Sequence, residues 1–377
     1  MAKLSSRVWL GLGAFLLLIL ALWRASVLPG YGASRALQDL LNALTLGSLY
    51  ALIALGYTLV YGILRMINFA HGEIFMLGAF FAFYAMTLAP LPVGWAITAG
   101  LLIGVIAYYL WRDSPRQAAF LAAAIFLLVS LGLAVPFGWT GALLLSMGLT
   151  GLAGTALEAV AYRPLRGAPR ESLLITAIAA SFFLQNAGQL VFGAQVQGFR
   201  PASELVAPRS GTVFGEPIFY TGLVILIPIA TALLLVIFHF FVTRSRLGKA
   251  MRATAQDSEA ALMMGIPIDQ VIRVTFFLGS LLAAVAGVFY AMRFGQINPL
   301  MGLLPGIKAF AAAVIGGIGS LPGAVLGGFI LGGVEIFAVS LFPNLSAYRD
   351  VFAFGILVLI LLFLPSGLLG ESGGEKV

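Results

Sequence analysis

Hydrophobic positions along this chain do not alternate with polar ones; they run together in long blocks. Apolar runs cover roughly Val8–Leu22, Leu40–Ile63, Phe69–Ala89, Val93–Leu110, Ala118–Val135 and Trp139–Ala161. They continue over Ser172–Phe192, Phe219–Val242, Val271–Met292, Leu303–Gly319, Gly323–Leu341 and Val351–Leu364. Most approach the ~20 residues that a helix needs to cross the hydrocarbon core of a bilayer. Backbone groups in lipid must be satisfied within their own segment, and the runs are too long for barrel strands, so the spans are helices. The pattern predicts an all-α, polytopic membrane protein of about 11–12 transmembrane helices in one domain, 1–377. Leu303–Gly319 is short and glycine-rich, and a re-entrant segment is the alternative there.

One polar interruption stands apart. Thr243–Gln270, TRSRLGKAMRATAQDSEAALMMGIPIDQ, lies between two runs of spanning length. A connector would need only a few residues. Lys249–Met264 is a run of good helix formers, ended by Gly265 with Pro267 close behind, which predicts one short helix and a left-handed stop. Asp269 is placed to cap the span that follows. Such a segment either offers a surface to a partner or is an ordinary solvated inner loop whose charges keep it out of lipid.

Composition fixes the solvent. The chain is 61% hydrophobic and 9% charged, against about 25% charged in soluble domains. The net charge of +7 does not imply nucleic acid, because the basic residues are scattered among loops instead of sharing a face. They report topology. Lys3, Arg7, Arg65, Arg112, Arg116, Arg163, Arg166, Arg170, Arg244, Arg246, Lys249, Arg252, Arg273 and Lys376 fall on the predicted inner side, two thirds of the 21 basic residues. The rule that positive loops stay inside then predicts cytoplasmic termini, a cytoplasmic 243–270 segment and an external loop over Gly193–Pro217. The first run lacks a small-residue cleavage site and ends in Trp23, Arg24 and Pro29, as an uncleaved signal anchor would. There is no cysteine, so disulfides and thiolate metal sites are absent.

A short repeat recurs. Leu46-Gly47-Ser48-Leu49 and Leu278-Gly279-Ser280-Leu281 are each followed, about twenty residues later, by Ile-Asn: Ile67-Asn68 and Ile297-Asn298. The predicted topology runs the two copies in opposite directions, the construction of an inverted-repeat transporter with its pathway between the copies.

Longer stretches carry a resemblance. NALTLGSLYALIALGYTLVYGILRMINFAHGEIFMLGAF (Asn42–Phe80), EAVAYRPLRG (Glu158–Gly167), RATAQDSEAALMMGI (Arg252–Ile266) and the run from Gly287 through INPLMG to AAAVIGGIGSLPGAVLGG (Ala311–Gly328) lie in one order. Together they resemble the LivH-type permeases of branched-chain amino acid ABC importers, over about Asp39–Leu91 and Trp139–Gly370. Two stretches depart from that pattern: an extra N-terminal helix in 1–38 and about two extra helices in 93–138. The resemblance implies a plasma (inner) membrane permease, itself without enzymatic activity or cofactor. Its implied partners are two ABC ATPase subunits, a second permease subunit (LivM-like) or a second copy, and an extracytoplasmic substrate-binding protein. It also implies that residues 243–270 hold the coupling helix that docks on an ATPase, through Arg252, Ala253, Asp257, Ala260, Gly265 and Ile266. In that role Arg252 and Asp257 fix the register of the docked helix as charge-assisted hydrogen-bond partners.

Other polar residues within spans have two readings each. Asn68, His71 and Glu73 form an inner gate or part of the path, or else a helix junction with Asn68 as cap and Glu73 favoured in the first turn. Asn298 and Lys308 form the outer counterpart, and Lys308 meets a substrate carboxylate, snorkels to the headgroups or pairs with an acid. Glu335 is a pathway or interface group; Gln185 and Asn186 are path residues or buried interhelical hydrogen-bonding groups. Gly323, Gly327, Gly328 and Gly332 form a small-residue ridge for helix packing. No Walker loop, Ser-His-Asp arrangement or metal-ligand cluster appears in the sequence. Transport energy therefore comes from ATPase partners or, alternatively, from a coupled ion; within the importers, urea or a short amide is the alternative substrate.

Overall fold

The computed structural model describes residues 33–88, 92–111, 115–134, 138–201, 203–213 and 216–370. The predicted N-terminal helix over Val8–Leu22, and both chain ends, lie outside the described residues. The helices are α1 (Ala33–Leu64), α2 (His71–Leu88), α3 (Val93–Leu110), α4 (Pro115–Ala134), α5 (Gly138–Leu157), α6 (Arg170–Phe192), α7 (Leu223–Arg244), α8 (Arg246–Gln256), α9 (Ser258–Met263), α10 (Ile268–Phe294), α11 (Leu303–Gly316), α12 (Leu321–Leu341) and α13 (Arg349–Phe363). Nine helical stretches among the described residues are long and apolar enough to cross a membrane. The chain is a multi-pass membrane protein.

Run length set most of these boundaries, and local chemistry moved the rest. α5 continues through a π-helical turn, Glu158–Tyr162, and a 3-10 turn, Arg163–Leu165. The Phe219–Val242 run starts as a helix only at Leu223, because Glu216–Tyr220 (β3) pairs antiparallel with Arg209–Val213 (β2) in a hairpin. Two further short strands, Gln197–Gly198 (β1) and Gln296–Ile297 (β4), pair across the same end of the molecule. We call this the hairpin end, and the opposite one, carrying α8 and α9, the segment end. α11 has 14 residues, a rise of about 21 Å, too short to span alone. The chain beyond α13 returns to finish it: the N–H groups of Leu368 and Leu369 donate to the carbonyls of Ile315 and Gly316, 2.9 and 2.8 Å away. Those carbonyls would otherwise be orphans of the helix end.

The core lies between α1, α2, α10, α11 and α12. α1 and α10 run antiparallel, with Asn42 against Arg293 at one end and Gly56 against Gly279 in the middle. The glycine ridge of α12 serves two neighbours. A methyl group on Gly323 or Gly327 would overlap the carbonyls of Gly316 or Ala312 in α11; one on Gly328 or Gly332 would overlap the backbone of Ala51 or Gly47 in α1. α12 is thus wedged between α11 and α1 at backbone distance, which only small residues permit. Hairpin α3–α4 packs in the same way, with Gly104 against Ala122, and its Trp111 lies under Arg273, 5.6 Å from the ring centre. Arg273, expected among the inner-loop charges, is buried inside α10.

The two repeat copies occupy corresponding places. Each Ile-Asn pair forms the break between a long helix and the next one: the Asn68 carbonyl accepts from His71 N–H at 3.0 Å, and the Asn298 carbonyl from Met301 N–H at 3.1 Å. α2 and α11, which follow the breaks, begin against each other, with Gly72 and Gly302 in backbone contact.

Candidate functional site

At the segment end the chain makes a capped double turn. Ser245 leaves α7 in extended conformation and its Oγ accepts from the Gly248 N–H at 2.8 Å, starting α8. Gly248, Met251 and Thr254 are the buried positions of α8. The single helix expected over Lys249–Met264 is broken at Asp257. There the backbone extends (φ −155°, ψ 108°), and Oδ1 accepts from the N–H groups of Glu259 and Ala260, both at 3.0 Å, starting α9. Gly265 ends α9 at φ +78°, with Gly265 N–H on the Leu262 carbonyl and Ile266 N–H on that of Ala261. This is the glycine stop read from the sequence.

The expected docking residues divide. Arg252 donates to the Val242 carbonyl at the end of α7, and Asp257 is occupied as a cap; both build the segment's own shape. Ala253 is half-buried, whereas Ala260 and Gly265 are exposed. Beside them stands a feature the sequence reading passed over: Leu262, Met263 and Met264 are 62%, 82% and 82% exposed. Asp269 is not the cap of α10, a position that falls to Pro267. It is held by Arg166 and, at 3.2 Å, by Arg163, because two guanidinium groups from the turn after α5 reach it.

Just inside this end lies the break 65–70. The Asn68 side chain turns away from the start of α2: its Oδ1 accepts from the Tyr162 hydroxyl at 2.6 Å, and both residues are buried. His71 is buried with its ring edge-on to Tyr57 at 4.7 Å. Glu73 is buried in the first turn of α2, where the helix dipole favours it, with Ser181 at 3.4 Å from Oε1 and no hydrogen-bond partner for Oε2 among the described residues. No group of three His, Cys, Asp or Glu that could hold a metal occurs among the described residues.

Toward the hairpin end a cavity of about 330 Å³ is lined by Asn42, Tyr50, Arg293, Lys308, Glu335 and Asp350, among others. Lys308 neither snorkels nor stands free. It is buried, 3.0 Å from Glu335 and 2.7 Å from Asp350, and Tyr50 donates to Glu335 at 2.9 Å. Of the readings for Lys308, pairing with an acid describes the structure. Asn298 lines an adjoining cavity of about 230 Å³ that shares Tyr290, Phe294, Leu304 and Pro305 with the first. Its Oδ1 accepts from the Leu300 N–H at 2.9 Å. Gln185 is buried; Asn186 is exposed and donates to the Phe182 carbonyl of its own helix. The sequence reading missed Tyr50, Glu158, Tyr162 and Arg166, although the last three stand in the quoted stretch Glu158–Gly167.

Comparison with known proteins supplies the lineage. The chain is 43% identical over 349 residues to the high-affinity branched-chain amino acid transport system permease protein BraD of Pseudomonas aeruginosa, covering 90% of this chain and 98% of that one. To the corresponding permease protein LivH of Escherichia coli K12 it is 39% identical over 346 residues, 90% and 97% of the two chains. A probable branched-chain amino acid transport permease of Methanocaldococcus jannaschii is 25% identical over 348 residues, 87% and 91%. No solved structure matches the chain. The family model for the branched-chain amino acid transport system permease component matches residues 40–112 and 116–361, and the chain belongs to that family.

Proposed function

We propose that this chain is the permease subunit of an ATP-driven importer of branched-chain, aliphatic amino acids in the plasma membrane. The segment end is cytoplasmic, as are both termini, and the hairpin end is external. The chain hydrolyses nothing itself. It works with two ABC ATPase subunits, a second permease, either LivM-like or another copy, and an external binding protein that delivers the substrate. The path follows α1 and α10, between the breaks at Asn68 and Asn298.

One observation carries the coupling part of this reading: the apolar side chains of Leu262, Met263 and Met264 stand exposed on a capped helix outside the spanning stretches. An ordinary solvated loop gains nothing from three adjacent exposed apolar residues. A docking surface does, and methionine adapts to a partner's shape. An ion-coupled carrier has no use for such a face.

Removing the gene and measuring uptake tests the substrate class. Uptake of leucine, isoleucine and valine is expected to fall to background and return on re-expression. Undiminished uptake of all three, with loss of urea or short-amide uptake, would overturn the assignment.

A further inference from the structure

A chain of contacts, half-exposed at Asp269 and buried from Glu158 onward, joins the coupling segment to the break at Asn68. α10 starts directly after Gly265–Pro267 and carries Asp269 in its first turn. Arg163 and Arg166 grip Asp269. Arg166 also binds Glu158, whose side chain has no solvent exposure. Glu158 opens the π-turn that ends in Tyr162, and the Tyr162 hydroxyl holds Asn68. The Tyr162 ring lies 5.4 Å from that of Phe276, on α10.

A second contact runs in parallel. Arg65, at the start of the break, donates to the Ala255 carbonyl at the end of α8, 3.4 Å away. These parts meet in a small apolar cluster of Val60, Met66, Tyr162, Ala177, Ile272 and Phe276, separate from the main core.

Three costly features gather at this joint. π-helical turns are rare and concentrate at functional sites. Arg65 adopts φ 49°, a left-handed conformation that residues with a Cβ enter at a cost. The Glu158 carboxylate is fully buried, and its Oε2 has no hydrogen-bond partner among the described residues. Any one has a packing explanation; all three on the short route between one segment and one helix break do not.

We infer that the turn Glu158–Arg166 is a transmission element, in which Asp269 and Tyr162 are positioning residues that convert movement of the coupling segment into movement of the Asn68 break. This rests on the coupling role proposed above. A displacement of the start of α10 carries Asp269, which draws the two arginines and the π-turn, and Tyr162 then shifts Asn68 relative to α2. The apolar cluster gathers these parts at the segment end of α1 and α10, so a shift of the π-turn reaches Asn68 without passing through the main core. Energetic coupling of this kind needs a contiguous network biased from both ends.

The test uses the whole transporter in liposomes, with its ATPases and leucine-loaded binding protein, and reads ATP hydrolysed and leucine moved together. Tyr162→Phe removes one hydroxyl and keeps the ring on Phe276; Asp269→Asn removes a half-exposed charge. In both, hydrolysis is expected to persist while leucine moved per ATP falls about fivefold, the low end of typical site-to-site coupling. Asp269→Glu should keep the wild-type ratio. An unchanged ratio in Tyr162→Phe and Asp269→Asn, whether both rates hold or both fall together, would overturn the inference. If the wild-type chain binds no ATPase, the coupling role itself fails, before any variant is compared.

Discussion

Lys308→Met isolates the charge arrangement in the α11–α12–α13 cavity. The Lys308 side chain is 7% exposed and Glu335 3%, whereas Asp350 and Arg349 are 42% and 50% exposed. Without the ammonium group, Asp350 can turn to water, but Glu335 cannot. It would retain the Tyr50 hydroxyl at 2.9 Å and Arg349 at 3.7 Å. Breaking a buried pair by deleting one partner costs about 3–5 kcal/mol, because a charge is left stranded. Arg349 offsets part of this, which puts the expected loss at about 3 kcal/mol. Adding Glu335→Gln removes the stranded charge while keeping a hydrogen-bond acceptor for Tyr50. The double variant should therefore be more stable than Lys308→Met alone, with a net cost of about 1 kcal/mol. Thermal midpoints of the purified proteins in one detergent give the order, which is safer than absolute free energies for irreversible unfolding. A double variant that melts at or below the single one would refute the pairing argument. So would a single variant of unchanged midpoint that loses uptake, since Lys308 would then serve the substrate.

Three more outcomes follow from local geometry. Gly265→Ala should cost about 1 kcal/mol from backbone strain alone, since the residue sits at φ +78° and a methyl there meets nothing within 4 Å; Gly265→Asn should cost less, and hydrogen exchange over residues 258–266 measures both. Gly327→Ala would force α12 away from the Ala312 carbonyl and lower the thermal midpoint by the equivalent of about 1–3 kcal/mol. Gly333→Ala, on the same helix with open space beside it, should leave the midpoint unchanged. Because the chain has no cysteine, Ser210→Cys and Ser258→Cys can be treated separately with a membrane-impermeant thiol reagent in intact cells. Ser210→Cys in the hairpin should label and Ser258→Cys in α9 should not; the reverse would invert the topology.

What was legible in the sequence was governed by local physics. The α3 run Val93–Leu110 was delimited by hydrophobicity alone, and its helix has the same bounds. The shortness of α11 and the left-handed stop at Gly265 were also readable, because run length and glycine chemistry are local properties. The break at Asp257 was not: every residue from Lys249 to Met264 suits a helix. It forms because one carboxylate caps α9 while Met251 and Thr254 bury α8 against the bundle. Long-range partners were hidden for a simpler reason. A buried Lys308 or Glu335 announces that it needs a counter-charge but not which one, and Tyr162 meets Asn68 across 94 residues of chain. Arg252 and Asp257 are exposed, as charges usually are, but their local partners, the Val242 carbonyl and the first turn of α9, were not legible. The exposed apolar face of Leu262, Met263 and Met264 was hidden because a membrane protein's sequence holds hundreds of apolar residues, most of them in spans.

Whether that apolar face docks on an ATPase can be measured directly. Leu262, Met263 and Met264 are exposed by 62%, 82% and 82%, so serine at all three should leave insertion and thermal midpoint unchanged. If the three side chains dock on an ATPase, burying each contributes about 1.5–3 kcal/mol, and their loss should weaken ATPase binding by at least a hundredfold. The decisive measurement is co-purification of the ATPase subunits with the triple-serine variant, alongside leucine uptake in the same cells. Both are expected to be lost while the variant remains in the membrane. A triple variant that retains its ATPases and transports at the wild-type rate would contradict the docking.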